Sequence, residues 1–123
     1  MITFRLPYPP SVNHYWRKKQ GQQKNYISAE GKQYRQEVWL VSKKERLPSM
    51  TGRLSISIVI YPPDQRERDG SNLWKCLLDS LVECRVLPGD SNRYLRRESL
   101  EWAEQVDKVG HVVVTIKEYE SAA

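Results

Sequence analysis

From Arg53 to Ile60 the side chains alternate: Leu54, Ile56, Ile58 and Ile60 are large aliphatics, and Arg53, Ser55, Ser57 and Val59 stand between them. Successive residues of a strand point to opposite faces, so this pattern specifies a strand with one face buried. Pro62 and Pro63 end it, because proline has no N–H to give to a ladder. From about Asn72 to Cys84 the period changes. Leu73, Leu77 and Leu81 form one i, i+4 row, and Trp74, Leu78 and Val82 form the adjacent one. A stripe that broad belongs to a helix pressed on a sheet.

The remaining segments extend this plan. Ile2 to Leu6 alternates as a short strand, ended by Pro7, Pro9 and Pro10. Residues 11–27 read as a long loop, and a loop of that length inside a domain is usually functional or mobile. Ser28 can cap a helix running to about Leu47, with Tyr34, Val38 and Val41 as its apolar stripe. Pro88-Gly89 marks a turn. Residues 94–102 are ambiguous and are counted as a strand. His111 to Lys117 is a clear one, with Val112, Val114 and Ile116 on one face. Residues 118–123 are expected to fray. The order β-α-β-α-β-β predicts an α+β fold, with two helices packed on one mixed sheet of about four strands. The 123 residues fit a single domain, 1–123.

Charge narrows the partners. The net charge is +5. Residues 1–47 hold ten Lys/Arg against three Asp/Glu, whereas residues 48–123 hold ten against twelve. A basic end on a balanced body suggests a polyanion, though a merely solvated surface has the same composition. No apolar run approaches the ~20 residues that span a bilayer, and the first residues lack a signal-peptide layout. The expectation is a cytoplasmic protein without a membrane partner. Cys76 and Cys84 both fall in the second helix. Eight residues at ~1.5 Å each separate them by ~12 Å, too far for a disulfide.

The chemistry concentrates in Arg66-Glu67-Arg68-Asp69-Gly70-Ser71-Asn72-Leu73-Trp74-Lys75. Asp69 lies in the loop opening the second helix. Lys75 follows Ser71 by four residues and shares its face. With Trp74 and Leu78 facing the core, Lys75 points toward the loop of Asp69. Asp90 follows the Pro88-Gly89 turn. Magnesium takes hard oxygen ligands and keeps several waters, so one or two carboxylates and a substrate phosphate can hold it. The ion activates water and steadies the leaving oxygen, and a nearby lysine meets developing negative charge. Each residue also has a plainer use. Asp69 can cap the helix, Asp90 can be a turn residue, and Lys75 can pair with Asp79 at i+4.

Taken in order, Leu6-Pro7-Tyr8-Pro9-Pro10-Ser11-Val12-Asn13, Tyr26-Ile27-Ser28-Ala29-Glu30-Gly31, Tyr34-Arg35, Pro63-Asp64, Arg68-Asp69, Asn72-Leu73, Lys75 and Leu78-Asp79-Ser80-Leu81 resemble the RusA family of Holliday junction resolvases, small nucleases often carried on prophages. The family's core pattern is Asp-x-Asp-Asn-x-x-Lys with a later aspartate. Asp69, Asn72, Lys75 and Asp90 match it. Ser71 stands where the pattern has its middle aspartate. The resemblance implies a magnesium-dependent crossover junction endodeoxyribonuclease acting in recombination and repair. It implies Asp69, Lys75 and Asp90 as catalytic residues, with Asp69, Asp90 and a weaker Ser71 around the metal. It also implies a homodimer with two sites, and no small-molecule cofactor. On branched DNA, Arg17, Lys18, Lys19 and Lys24 would meet phosphates, and Arg68 would bind the DNA. Asn13 and Asn72 would contact the strand, and Tyr15, Trp16 and Tyr26 would stack on bases or anchor their own loop. The loss of one carboxylate leaves a second reading open, a junction-binding protein with weakened cleavage.

Overall fold

In the computed structural model, residues 1–11, 16–18 and 25–121 are described, with the backbone alone for 16–18, 25 and 26. The elements in order are β1 (Ile2–Pro7), β2 (Trp16–Lys18), β3 (Asn25–Ile27), α1 (Ala29–Lys44), β4 (Leu54–Tyr61), α2 (Ser71–Glu83), β5 (Leu95–Trp102) and β6 (His111–Glu118). The main sheet is mixed, with strand order β1-β6-β4-β5. β6 runs antiparallel to both β1 and β4, whereas β5 is parallel to β4, the crossover being α2. This is the α+β layout expected from the sequence.

One face of the sheet carries the core. Phe4, Leu6, Leu54, Ile56, Ile58, Ile60, Val112, Val114 and Ile116 are all buried, as the period of two requires. Tyr34 and Val38 of α1, and Leu73, Cys76, Leu77, Leu78 and Leu81 of α2, close over them. Trp74 and Val82 sit at the margin of this cluster, on the outer row of the α2 stripe. The Tyr34 hydroxyl donates to the Pro7 carbonyl at 2.7 Å, tying α1 to the end of β1. Cys76 is buried, Cys84 half-buried, and both are free thiols. Burial pushes the Cys76 thiol far above its ordinary value.

Three expectations change. The segment 11–27 is not loop throughout, because β2 and β3 pair antiparallel, with Trp16 opposite Ile27 and Lys18 opposite Asn25. Three-residue strands are too short to show a period. α1 is capped by Ser28, whose Oγ accepts from the Gly31 N–H at 3.0 Å, but it stops at Lys44 rather than Leu47. Arg46 turns left-handed at φ 53, and the Leu47 N–H closes back on the Ser42 carbonyl at 2.9 Å. α2 ends in the same way at Arg85, φ 67; glycine is the usual residue for such a closure. Finally, the chain is still strand at Glu118. The Tyr119 N–H donates to the Arg53 carbonyl at 2.9 Å, and the Arg53 and Arg97 guanidinium groups lie over the Tyr119 ring.

Candidate active site

The segment Pro62–Gly70 leaves the carboxyl end of β4 and feeds α2, a position where open sheets with parallel crossovers commonly bind ligands. Its shape is set locally. Asp64 Oδ1 accepts from the Arg66 N–H at 2.8 Å and from Arg68 Nη1 at 2.8 Å. These bonds hold the Asp64 carboxyl well below the usual range, at about 2, with the Arg68 bond the larger cause. The same bond raises the Arg68 guanidinium. Arg68 lies 5.9 Å from the centre of the Tyr8 ring. Tyr8 in turn packs on Gly110, where a Cβ would come within 3.0 Å of it and where φ is +80. The Tyr8 hydroxyl is buried without a hydrogen-bond partner among the described residues. Burial raises its phenol, and Arg68 partly offsets the rise.

α2 begins tightly. A Cβ at Gly70 would lie 3.0 Å from Leu100 and 3.3 Å from Trp102 Nε1, so only glycine seats the helix start against β5 without displacement. Asp69 Oδ1 accepts from the Ser71 N–H at 3.1 Å and from the Ser71 hydroxyl at 2.9 Å. Asp69 thus holds the first turn, as the capping reading expects, and still faces a cleft. That cleft, of about 310 Å³, is lined by Tyr8, Ser11, Glu67, Arg68, Asp69, Asn72 and Leu73. One turn along α2, Lys75 Nζ meets Asp90 Oδ2 at 3.0 Å, both side chains being substantially exposed. Lys75 therefore pairs with Asp90 and not with Asp79, which is bound by Arg35 of α1.

The residues singled out in the sequence fall into two pairs and a cleft. Asp69 is joined to Ser71, and Lys75 to Asp90. Arg68 and Asn72 line the cleft with Asp69. Among the described residues no three of His, Cys, Asp and Glu come together as a metal cage. The donors that are present, Asp69 and Ser71 at the cleft and Asp90 beside Lys75, are hard oxygens, the type magnesium takes, and no closed site is formed among the described residues. Asn13, Tyr15, Lys19 and Lys24 lie outside the described residues, and Trp16, Arg17 and Lys18 are placed only as backbone of β2. Sequence reasoning gave no site role to Tyr8 or Asp64. The i, i+4 spacing of Asp64 and Arg68 was the available signal.

A family model described as "Endodeoxyribonuclease RusA" matches residues 7–117. The chain is 45% identical over 80 residues to the "Crossover junction endodeoxyribonuclease rusA" of Enterobacteria phage HK97, covering 64% of this chain and 65% of that one. It is 39% identical over 82 residues to the protein of that name from Shigella sonnei, covering 66% and 67%. The likeness to the Escherichia coli K12 protein is 38% over 82 residues with the same coverage. The chain thus aligns with just under two thirds of the phage relative's length.

Proposed function

The chain belongs to the RusA endodeoxyribonuclease family, and on that premise we propose that it is a structure-specific, magnesium-dependent endonuclease that resolves four-way DNA junctions by paired symmetric nicks. The observation that carries the reading is the cleft at the start of α2, where Asp69 stands beside Arg68 and Asn72. An acid ligand, a phosphate-binding cation and a neutral donor are what a phosphodiester needs around it.

Asp69 and Asp90 would hold the magnesium, with the Ser71 hydroxyl as a weaker or water-mediated ligand. When bound, the ion supplies Lewis acidity toward water and phosphate. Asp90 aims the Lys75 ammonium, and the ammonium stabilises the negative charge that builds on the phosphate oxygens during in-line displacement of the 3′ oxygen. Arg68 and Asn72 bind the strand beside the scissile phosphate. Arg17, Lys18, Lys19 and Lys24, together with Asn13, Tyr15 and Trp16, grip the junction arms through phosphate contacts and stacking. A two-fold homodimer would present two such sites to the symmetry-related strands.

A second reading, junction binding with weakened cleavage, has one observation in its favour: Ser71 brings a hydroxyl, not a third carboxylate, against Asp69. One experiment separates the two. A synthetic four-way junction is incubated with magnesium for cleavage and with calcium for gel shift, beside a linear duplex of the same sequence. Paired nicks near the crossover support the nuclease. Binding without nicks supports the second reading. Equal affinity for linear duplex defeats both.

A further inference from the structure

The hydrogen bonds that hold the Arg68 guanidinium along the loop converge on one nitrogen. Nη1 donates to Asp64 Oδ1 at 2.8 Å, to the Arg66 carbonyl at 3.2 Å and to the Asp64 carbonyl at 3.4 Å. One face of the group lies over Tyr8. Nη2 and Nε take no partner among the described residues, although Arg68 is only 20% exposed. We propose that Asp64 is a positioning residue, which holds Arg68 as a preformed phosphate clamp at the cleft beside Asp69. This inference rests on the reading of that cleft as the DNA-cleaving site.

The geometry fits orientation better than stabilisation. Asp64 is 46% exposed, and ion pairs that open to solvent add little to folding stability. What the pair does is local. One carboxylate oxygen binds both the Arg66 N–H and Arg68 Nη1, so the loop from 64 to 68 is closed on itself before any ligand arrives. A free arginine surrenders rotamer freedom when it is fixed. An arginine already fixed by Asp64 and Tyr8 has less to lose on meeting a phosphate. Guanidinium recognises phosphate by two parallel N–H donors, and the unpartnered nitrogens are the ones left for that. Arg68 is also the residue next to Asp69, so a phosphate on the clamp is held close to the proposed metal ligand. Asp64 is ionised throughout the working pH range because Arg68 and the Arg66 amide stabilise its charge.

The test is a double-mutant cycle with Asp64→Ala, Arg68→Ala and the pair together, plus Asp64→Asn. Junction binding in calcium is measured as a function of salt, and junction cleavage in magnesium for kcat and KM. Asp64→Ala is expected to weaken binding and raise KM by about tenfold, the worth of roughly one charge-assisted hydrogen bond, with kcat within about threefold. The log–log salt slope should fall by ~0.9, as for Arg68→Ala, and Asp64→Ala should add nothing once Arg68 is gone. Asp64→Asn keeps an acceptor for the Arg66 N–H, so it should melt like the starting protein and lose part of the affinity. Additive losses, an unchanged KM and slope, or a shifted magnesium midpoint would overturn the assignment, the last by making Asp64 a ligand. The binding cycle reads the clamp whether or not the junction is cut. An unsubstituted protein that binds and does not cut therefore counts against the nuclease reading alone.

Discussion

Two hydrogen bonds run from Ser71 into one oxygen of Asp69, and the hydroxyl of that serine neutralises part of the charge that a cation would otherwise meet. Ser71→Asp replaces this donor with a second carboxylate at close range. Two like charges there repel by ~1 kcal/mol even when water screens them, so the variant should melt a few degrees lower without magnesium and recover when magnesium is added. Its half-maximal cleavage should need less magnesium. A titration of both proteins, read by melting and by junction cleavage, checks this. If neither midpoint moves, position 71 is away from the metal. Asp69→Asn tests the other partner. It keeps the acceptor for the Ser71 N–H and removes the charge, so cleavage should fall by at least ~100-fold, while the calcium gel shift is retained or tightened. Cleavage within a few-fold of the starting protein would remove Asp69 from the catalytic set.

At the level of the elements, β2 of the β2–β3 ribbon holds Trp16, Arg17 and Lys18, and Arg17-Lys18-Lys19 is the most concentrated run of positive charge in the sequence. Replacing Arg17, Lys18 and Lys19 together with alanine should flatten the salt dependence of junction binding by ~0.9 on a log–log plot for each phosphate that the protein no longer neutralises. An unchanged slope and affinity would make the cluster a solvated surface. That ribbon was invisible in the sequence, since its strands have no room for alternation. By contrast β4 and α2 were legible nearly to the residue: Leu54 to Ile60 and Leu73 to Leu81 keep their periods, and the core follows those periods. The loop between them yielded Asp69 by its place before a helix, but not the use of its neighbours. The sequence offers Asp79 as the i+4 partner of Lys75. The fold gives Asp79 to Arg35 and Lys75 to Asp90, a choice made by the packing of α1 on α2. Spacing along one helix cannot express it. Asp64 is silent in the sequence for a similar reason, because an exposed i, i+4 pair is common and says nothing of the Tyr8 ring behind it.

Across the whole molecule, the turn after β5 is pinned to the sheet by one ionic cluster. His111 Nδ1 meets Asp107 Oδ2 at 2.6 Å, Arg5 Nη2 lies 3.0 Å from the same ring nitrogen, and the imidazole stacks on Tyr61 at 4.3 Å. The His111 bond lowers the Asp107 carboxyl below its ordinary 3.8. A lowered carboxylate stabilises the fold above its unfolded value and ceases to as pH falls through the folded one. Asp107→Asn should therefore lower the melting temperature slightly near neutrality and make its decline below about pH 4 less steep; parallel curves would show that the cluster does not couple to folding. The sheet has a further property in its strand order. β6 follows the other described strands in sequence and lies between β1 and β4, with Ile116 opposite Ile2 and Val112 opposite Ile60. Until residues 111–118 leave the ribosome, β1 has no partner in the sheet and β4 is paired on one side only. Contacts this distant in sequence close slowly, and the nascent chain exposes apolar strand faces meanwhile. The loop that bears Asp69 springs from β4, so a chain that has not yet paired β6 with β4 is expected to carry the residues of the site on an incompletely built sheet.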